Sequence, residues 1–262
     1  IKYLCANFKD KIDINKHNKN GYNVFMLAVN KANVQEIQYL YGSFGNAIDI
    51  NKQDKNGNTA FMLAAKNTNV QIIEFLHKKF KDGIGNINNQ NLDGNTAFML
   101  AAENTNAEVI QFLYDTFGND INTSKKNKNG NNALMLAVQH SNIASLKIIV
   151  ENYKDTIYIN EQNYNGDTAF MLAVKNVNIE IIQYLCDTFG DEVDINVQNK
   201  YGDTAFMLAA KNTNVEIIQY LYDTFKDDID VNEQNYNGDT AFTYAAQNKN
   251  DEIGQLLSKL SN

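Results

Sequence analysis

Arginine, proline and tryptophan are absent from this chain of 262 residues, cysteine occurs twice and histidine three times. Without arginine, all 23 basic side chains are lysines, and none can grip a phosphate or carboxylate with a rigid two-pronged fork. Without proline, no first helical turn has a preset φ. No apolar run approaches the roughly 18 residues that a membrane span needs, so no membrane insertion is expected. His17, His77 and His140 stand far apart, with no cysteine or second histidine at ligand spacing, and they read as surface or half-buried residues. The glycines are isolated, so no phosphate-cradling loop is present. Asp227-Asp228-Ile229-Asp230 lacks the twelve-residue calcium loop, and Asn122-Thr123-Ser124 is a triplet too short to carry a glycan assignment in so asparagine-rich a chain. The sequence therefore implies no metal, no cofactor and no catalytic residues.

What the chain does have is a period. Gly21, Gly57, Gly94, Gly130, Gly166, Gly202 and Gly238 follow one another at steps of 36, 37, 36, 36, 36 and 36 residues. Fixed self-similarity at this spacing means a stack of units that each contact mainly their neighbours. The expected fold is an all-α solenoid with short β-hairpin turns: a single domain over 1–262, with seven units and a partial unit at 1–15. Ile1-Lys2-Tyr3-Leu4-Cys5 reads like Ile182-Gln183-Tyr184-Leu185-Cys186, so further units are expected upstream. Residues 238–262 read as a C-terminal cap: Gly254 stands where Ile218 would be, Thr243 takes the methionine place and Ser261 the aromatic place. Cys5 and Cys186 fall five units apart, far beyond the about 7 Å that a disulfide allows, which makes both reduced and points to the cytoplasm.

Within one unit, Asn-Gly or its variant predicts a tight turn, because both residues tolerate positive φ. Two residues after the glycine comes Asn23, Thr59, Thr96, Asn132, Thr168, Thr204 or Thr240, each an N-cap worth about 1 kcal/mol, opening a helix of roughly eight residues. Ten residues later a second cap is always asparagine: Asn33, Asn69, Asn106, Asn142, Asn178, Asn214 and Asn250. The helix behind it has apolar residues at helical spacing, such as Ile218, Leu221 and Phe225. Ala28, Ala64, Ala101, Ala137, Ala173, Ala209 and Ala245 hold one place in the first helix, which predicts close helix approach; leucine there is expected to cost about 1–3 kcal/mol. The 37-residue unit gains its extra residue in Lys81–Asn86, which is expected to be loop.

These residues resemble ankyrin repeats. The turn-Gly-x-Thr opening, the Thr-Ala-Phe-Met-Leu-Ala-Ala helix and the Asp-Ile-Asn loop match that family's pattern over essentially the whole chain. The chain departs from it where Ala60 and its equivalents replace the family's proline. Met26, Met62, Met99, Met135, Met171 and Met207 replace its histidine, so thioether packing is expected in place of the usual inter-repeat hydrogen bonds. The period also exceeds the family's, which predicts a longer second helix. Tetratricopeptide repeats have a near period but no hairpin, and their tryptophan and proline signatures are absent. The ankyrin resemblance implies a non-enzymatic scaffold that binds a partner protein or peptide through a concave face made of hairpins and first helices. Two other readings fit the sequence: the targeting part of a larger multidomain enzyme or secreted effector acting in a host cytosol, and a mechanical array.

Charge is uneven. Residues 1–131 have 15 lysines against 12 acids, and residues 132–262 have 8 lysines against 19 acids. The acidic half argues against nucleic acid and for a protein partner with a basic patch. The early hairpin tips are basic, with Lys16, Lys19, Lys52, Lys55, Lys125, Lys126 and Lys128. The late ones carry Tyr164, Tyr201 and Tyr236, flanked by Glu161, Asp167, Asp203, Glu233 and Asp239. These eight residues are the expected protein-contact site.

Overall fold

The computed structural model describes residue 3 and residues 7–104, 106–248 and 251–260. Cys5, Asn250 and Ser261, which entered the sequence argument, lie outside the described residues, as do Ile1, Lys2 and Leu4. The chain forms two compact units, residues 1–128 with 144–152 and residues 129–143 with 153–262. Among the described residues there are fourteen α-helices, six single 3-10 turns and no strand.

The first unit holds short first helices at Val24–Asn30, Ala60–Ala65 and Ala97–Ala102, each packed on the next, and longer second helices at Val34–Phe44, Val70–Phe80 and Ala107–Phe117. In the second unit, Ala133–Gln139, Ala169–Lys175, Ala205–Lys211 and Ala241–Gln247 stack in the same way, with Ile179–Phe189, Val215–Phe225 and Asp251–Leu260 behind them. A further second helix spans Ile143–Tyr153. First helices have six or seven residues, close to the roughly eight expected. The second helices named up to Phe225 have eleven residues.

Every expected first cap is made. Thr59, Thr96, Thr168, Thr204 and Thr240 accept through Oγ1 from the amide three residues on, at 3.1–3.3 Å, and Asn23 and Asn132 accept through Oδ1 at 2.8 and 2.9 Å. Asn33, Asn69, Asn106, Asn178 and Asn214 cap the second helices. The invariant alanines are all buried, and the six methionines pack in the core with them. Leucine at an alanine place therefore has no free volume to enter.

The extra residue of the long repeat can be placed more closely than the sequence allowed. Lys81–Gly83 forms a 3-10 turn like those of the other repeats, so this part is not loop. In the neighbouring repeat Asp49 does two jobs: its amide donates to Asn15 Oδ1 and its Oδ1 accepts from the Asn51 amide. Here the amide of Gly85 serves Asn51, while Oδ1 of Asn86 serves the Asn88 amide. One residue's work is divided between two, which absorbs the insertion.

Candidate protein-binding site

Each hairpin is a turn tied by its own Asx side chain. Oδ1 of Asn163 accepts from the amides of Asn165 and Asp167 at 2.9 and 3.0 Å; Asn199 and Asn235 repeat the pattern. Main-chain bonds then join neighbouring tips: Tyr164 donates to the Asn129 carbonyl, Lys200 to Asn165 and Tyr236 to Tyr201, at 2.9–3.1 Å. The residue after the Asx thus lies across the preceding turn. Gly130 has φ +78° and Gly202 φ +80°, and a Cβ on either would meet a tyrosine ring atom at 2.7–2.8 Å. Glycine is needed there twice over, for the turn and for the ring of Tyr164 or Tyr236 above it.

The tyrosines are exposed: Tyr164 by 68%, Tyr201 by 53% and Tyr236 by 70%. They are not equivalent, however. Tyr164 and Tyr236 directly follow their Asx, whereas Tyr201 stands one place further on. The residue between Tyr164 and Tyr236 in the tip row is Lys200, which the sequence reading missed. Its Nζ donates to Asn165 Oδ1 and sits 5.0 Å from the centroid of the Tyr201 ring. Aligning the repeats on Asn163, Asn199 and Asn235 would have found it.

The acids require correction. Asp167 and Asp203 are buried, not exposed flanking charges. Asp167 is bound by Lys175 Nζ at 2.6 Å and accepts from Asn199 Nδ2 at 3.2 Å. Asp203 accepts at 2.8 Å from both Asn235 Nδ2 and the Tyr244 hydroxyl, with Lys211 Nζ at 3.8 Å. Burial, and then this bond and the Asp203 charge, raise the Tyr244 hydroxyl pKa above the usual phenol range. These two aspartates hold repeats together, each with a lysine of its own repeat beside it. Glu161, Glu233 and Asp239 are half-exposed, and each accepts a hydrogen bond, from Asn132, Gln198 and Gln247 respectively.

The first-helix face offers little. Ala60–Ala65, Ala97–Ala102, Ala169–Val174 and Ala205–Ala210 are buried throughout. Contact surface on this side comes from the tips and from the residues that end each first helix, such as Lys175 and Lys211. Elsewhere, His17 and His140 are exposed. His77 is half-buried, edge-on to Phe112 and Phe117, and burial, with Lys81 adding to it, lowers its pKa. Cys186 is buried; burial raises its thiol to about 11, against the smaller opposing effect of a hydrogen bond with Tyr220. Among the described residues there is no cluster of three or more potential metal ligands, and no helix is long and apolar enough to cross a membrane.

A family model described as ankyrin repeats (3 copies) matches residues 1–84, 25–125, 80–163, 117–199, 154–235 and 189–262, which together span the chain. No curated protein matches it. Capped helix pairs, tips joined turn to turn and a family match from one end to the other agree: the chain belongs to the ankyrin repeat family.

Proposed function

We propose that this protein is a non-catalytic interaction scaffold in a reducing, cytoplasmic setting, and that it grips a partner protein with the tip row Tyr164, Lys200, Tyr201 and Tyr236. Ankyrin repeats are generic protein-binding modules and are typically non-catalytic, which supports the class of function. The site assignment rests on one observation: three large rings stand exposed on successive tips that are braced by main-chain bonds. Rigid aromatics lose little entropy on contact and dominate interface energetics. Glu161, Glu233 and Asp239 at the flank, in a half with net charge −11, favour a partner with a basic patch.

The test is to present the wild-type chain and a Tyr164→Ala/Tyr201→Ala/Tyr236→Ala variant side by side to extract from the native cells, with quantitative mass spectrometry. The binding partner should be retained by the wild type and lost by the variant, a loss of at least about 2 kcal/mol, or roughly 30-fold. Equal retention by a folded variant rejects the site.

A further inference from the structure

The 36-residue rhythm breaks once, in the first unit, and a reversal of charge stands beside that break. Helix Val70–Phe80 ends in Lys78-Lys79, where three matching helices have Asp115-Thr116, Asp187-Thr188 and Asp223-Thr224 and two others have Gly42-Ser43 and Glu151-Asn152. Lys81 follows in the 3-10 turn, as Lys9 and Lys154 do in theirs. Between this turn and the Gly45–Ala47 turn of the preceding repeat lies an open cleft of about 590 Å³ with Lys78, Lys79 and Lys81 on its wall. Ile48, Ile50 and Phe80 border the same cleft with mostly buried apolar side chains. Of its two acids, Asp49 is 3.8 Å from Lys52 Nζ. The helix dipole alone does not explain the lysines, because four matching helices have an acid, Asp115, Glu151, Asp187 or Asp223, where Lys78 stands.

We propose that this cleft is a second docking site, separate from the tyrosine tips, for a short acidic peptide segment of a partner protein. The lysines on its wall supply attraction for spaced carboxylates, with Lys79 Nζ 5.3 Å from the centroid of the Tyr41 ring. The volume lies within the roughly 300–1,000 Å³ typical of ligand sites. Asp49 and Asp82 interrupt the positive wall, which disfavours a continuous phosphate backbone and leaves room for carboxylates spaced along a peptide.

The probe is a fluorescein-labelled Glu-Leu-Glu-Asp-Leu-Glu peptide, titrated by anisotropy against the full chain at about 50 mM salt. Saturable binding is expected, weakening about tenfold at roughly 200 mM salt, with no binding of the same peptide carrying Gln and Asn for its acids. Lys78→Asp/Lys79→Thr copies the pair found in three other repeats and should raise Kd at least about tenfold with the melting curve retained. Lys78→Gln/Lys79→Gln serves if the first variant misfolds. Lys19→Gln/Lys55→Gln, on the tips, should leave Kd unchanged. The proposal is overturned by failure to bind at low salt, by unchanged Kd in the folded cleft variants, by loss of binding in the tip variant instead, or by tighter binding of an eight-nucleotide oligothymidylate that displaces the peptide.

Discussion

An amide side chain both donates and accepts, and the hairpins are built on that property. In Asn91, Oδ1 closes its own turn while Nδ2 reaches Asn58 Oδ1 of the preceding repeat at 2.7 Å; Asn127 does the same to Asn95, and Asn163 to Asn131. Asp54 fills this role without an N–H to give, and there Tyr22 supplies the proton from the preceding repeat. Tyrosine and aspartate thus replace asparagine and asparagine as a pair. Asn23 is the contrary case. It caps its helix, but its Nδ2 is buried without a partner. Asn23→Thr keeps the cap, removes the stranded amide and should stabilise the protein by about 1 kcal/mol in chemical denaturation. His77 gives a pH signature. Its folded pKa lies below the unfolded value of about 6.5, so the unfolded chain binds more protons between the two values and stability falls as pH drops through that window. His77→Tyr, copying Tyr41 and Tyr114, should narrow the gap in Tm between pH 7 and pH 5; an unchanged gap would remove His77 as its source.

Among the short elements, the caps were legible and the inter-helix turns were not. A cap is a contact across two or three residues, so Thr204 or Asn214 announces itself in one repeat. The turn between helices forces positive φ on Ala32, Ser141, Val177 and Thr213, at 53–60°, and nothing about a valine signals that conformation. It is imposed by the two helices on either side and, at Val177 and Thr213, by the asparagine before it. Asn176 Nδ2 donates to the Val138 carbonyl and Asn212 Nδ2 to that of Val174, at 3.1 and 3.0 Å. β-Branched residues are strained there, and Val177 is 41% exposed, so it recovers little by burial. Val177→Gly should relieve the strain by more than glycine's added unfolded-state entropy, a net gain of about 0.5–1 kcal/mol. Equal or lower stability in urea would show that the turn is not strained. The misplaced acids have a related cause. Asp167 and Asp203 read as surface charge until Lys175, Lys211 and the next repeat's asparagine are seen around them.

At the scale of the molecule, the side-chain bonds that join repeats span 29 to 41 residues, from Asn132–Glu161 to Tyr244–Asp203. Period and repeat order were therefore readable from sequence, since each unit answers only to its neighbour; which side chain answers which was not. The same locality limits how far a lesion spreads. Asp203→Ala leaves the Tyr244 hydroxyl, Asn235 Nδ2 and Lys211 Nζ without their shared acceptor, at a cost of about 2–4 kcal/mol. In a nearest-neighbour stack that cost falls on the Gly202 and Gly238 repeats. Hydrogen exchange should quicken in Ala205–Lys211 and Ala241–Gln247 and stay unchanged in Ala60–Ala65, which takes part in none of these bonds. Uniform acceleration through all the first helices would mean that the chain opens as one cooperative block and that the hydrogen-bond spacing does not set its units of unfolding.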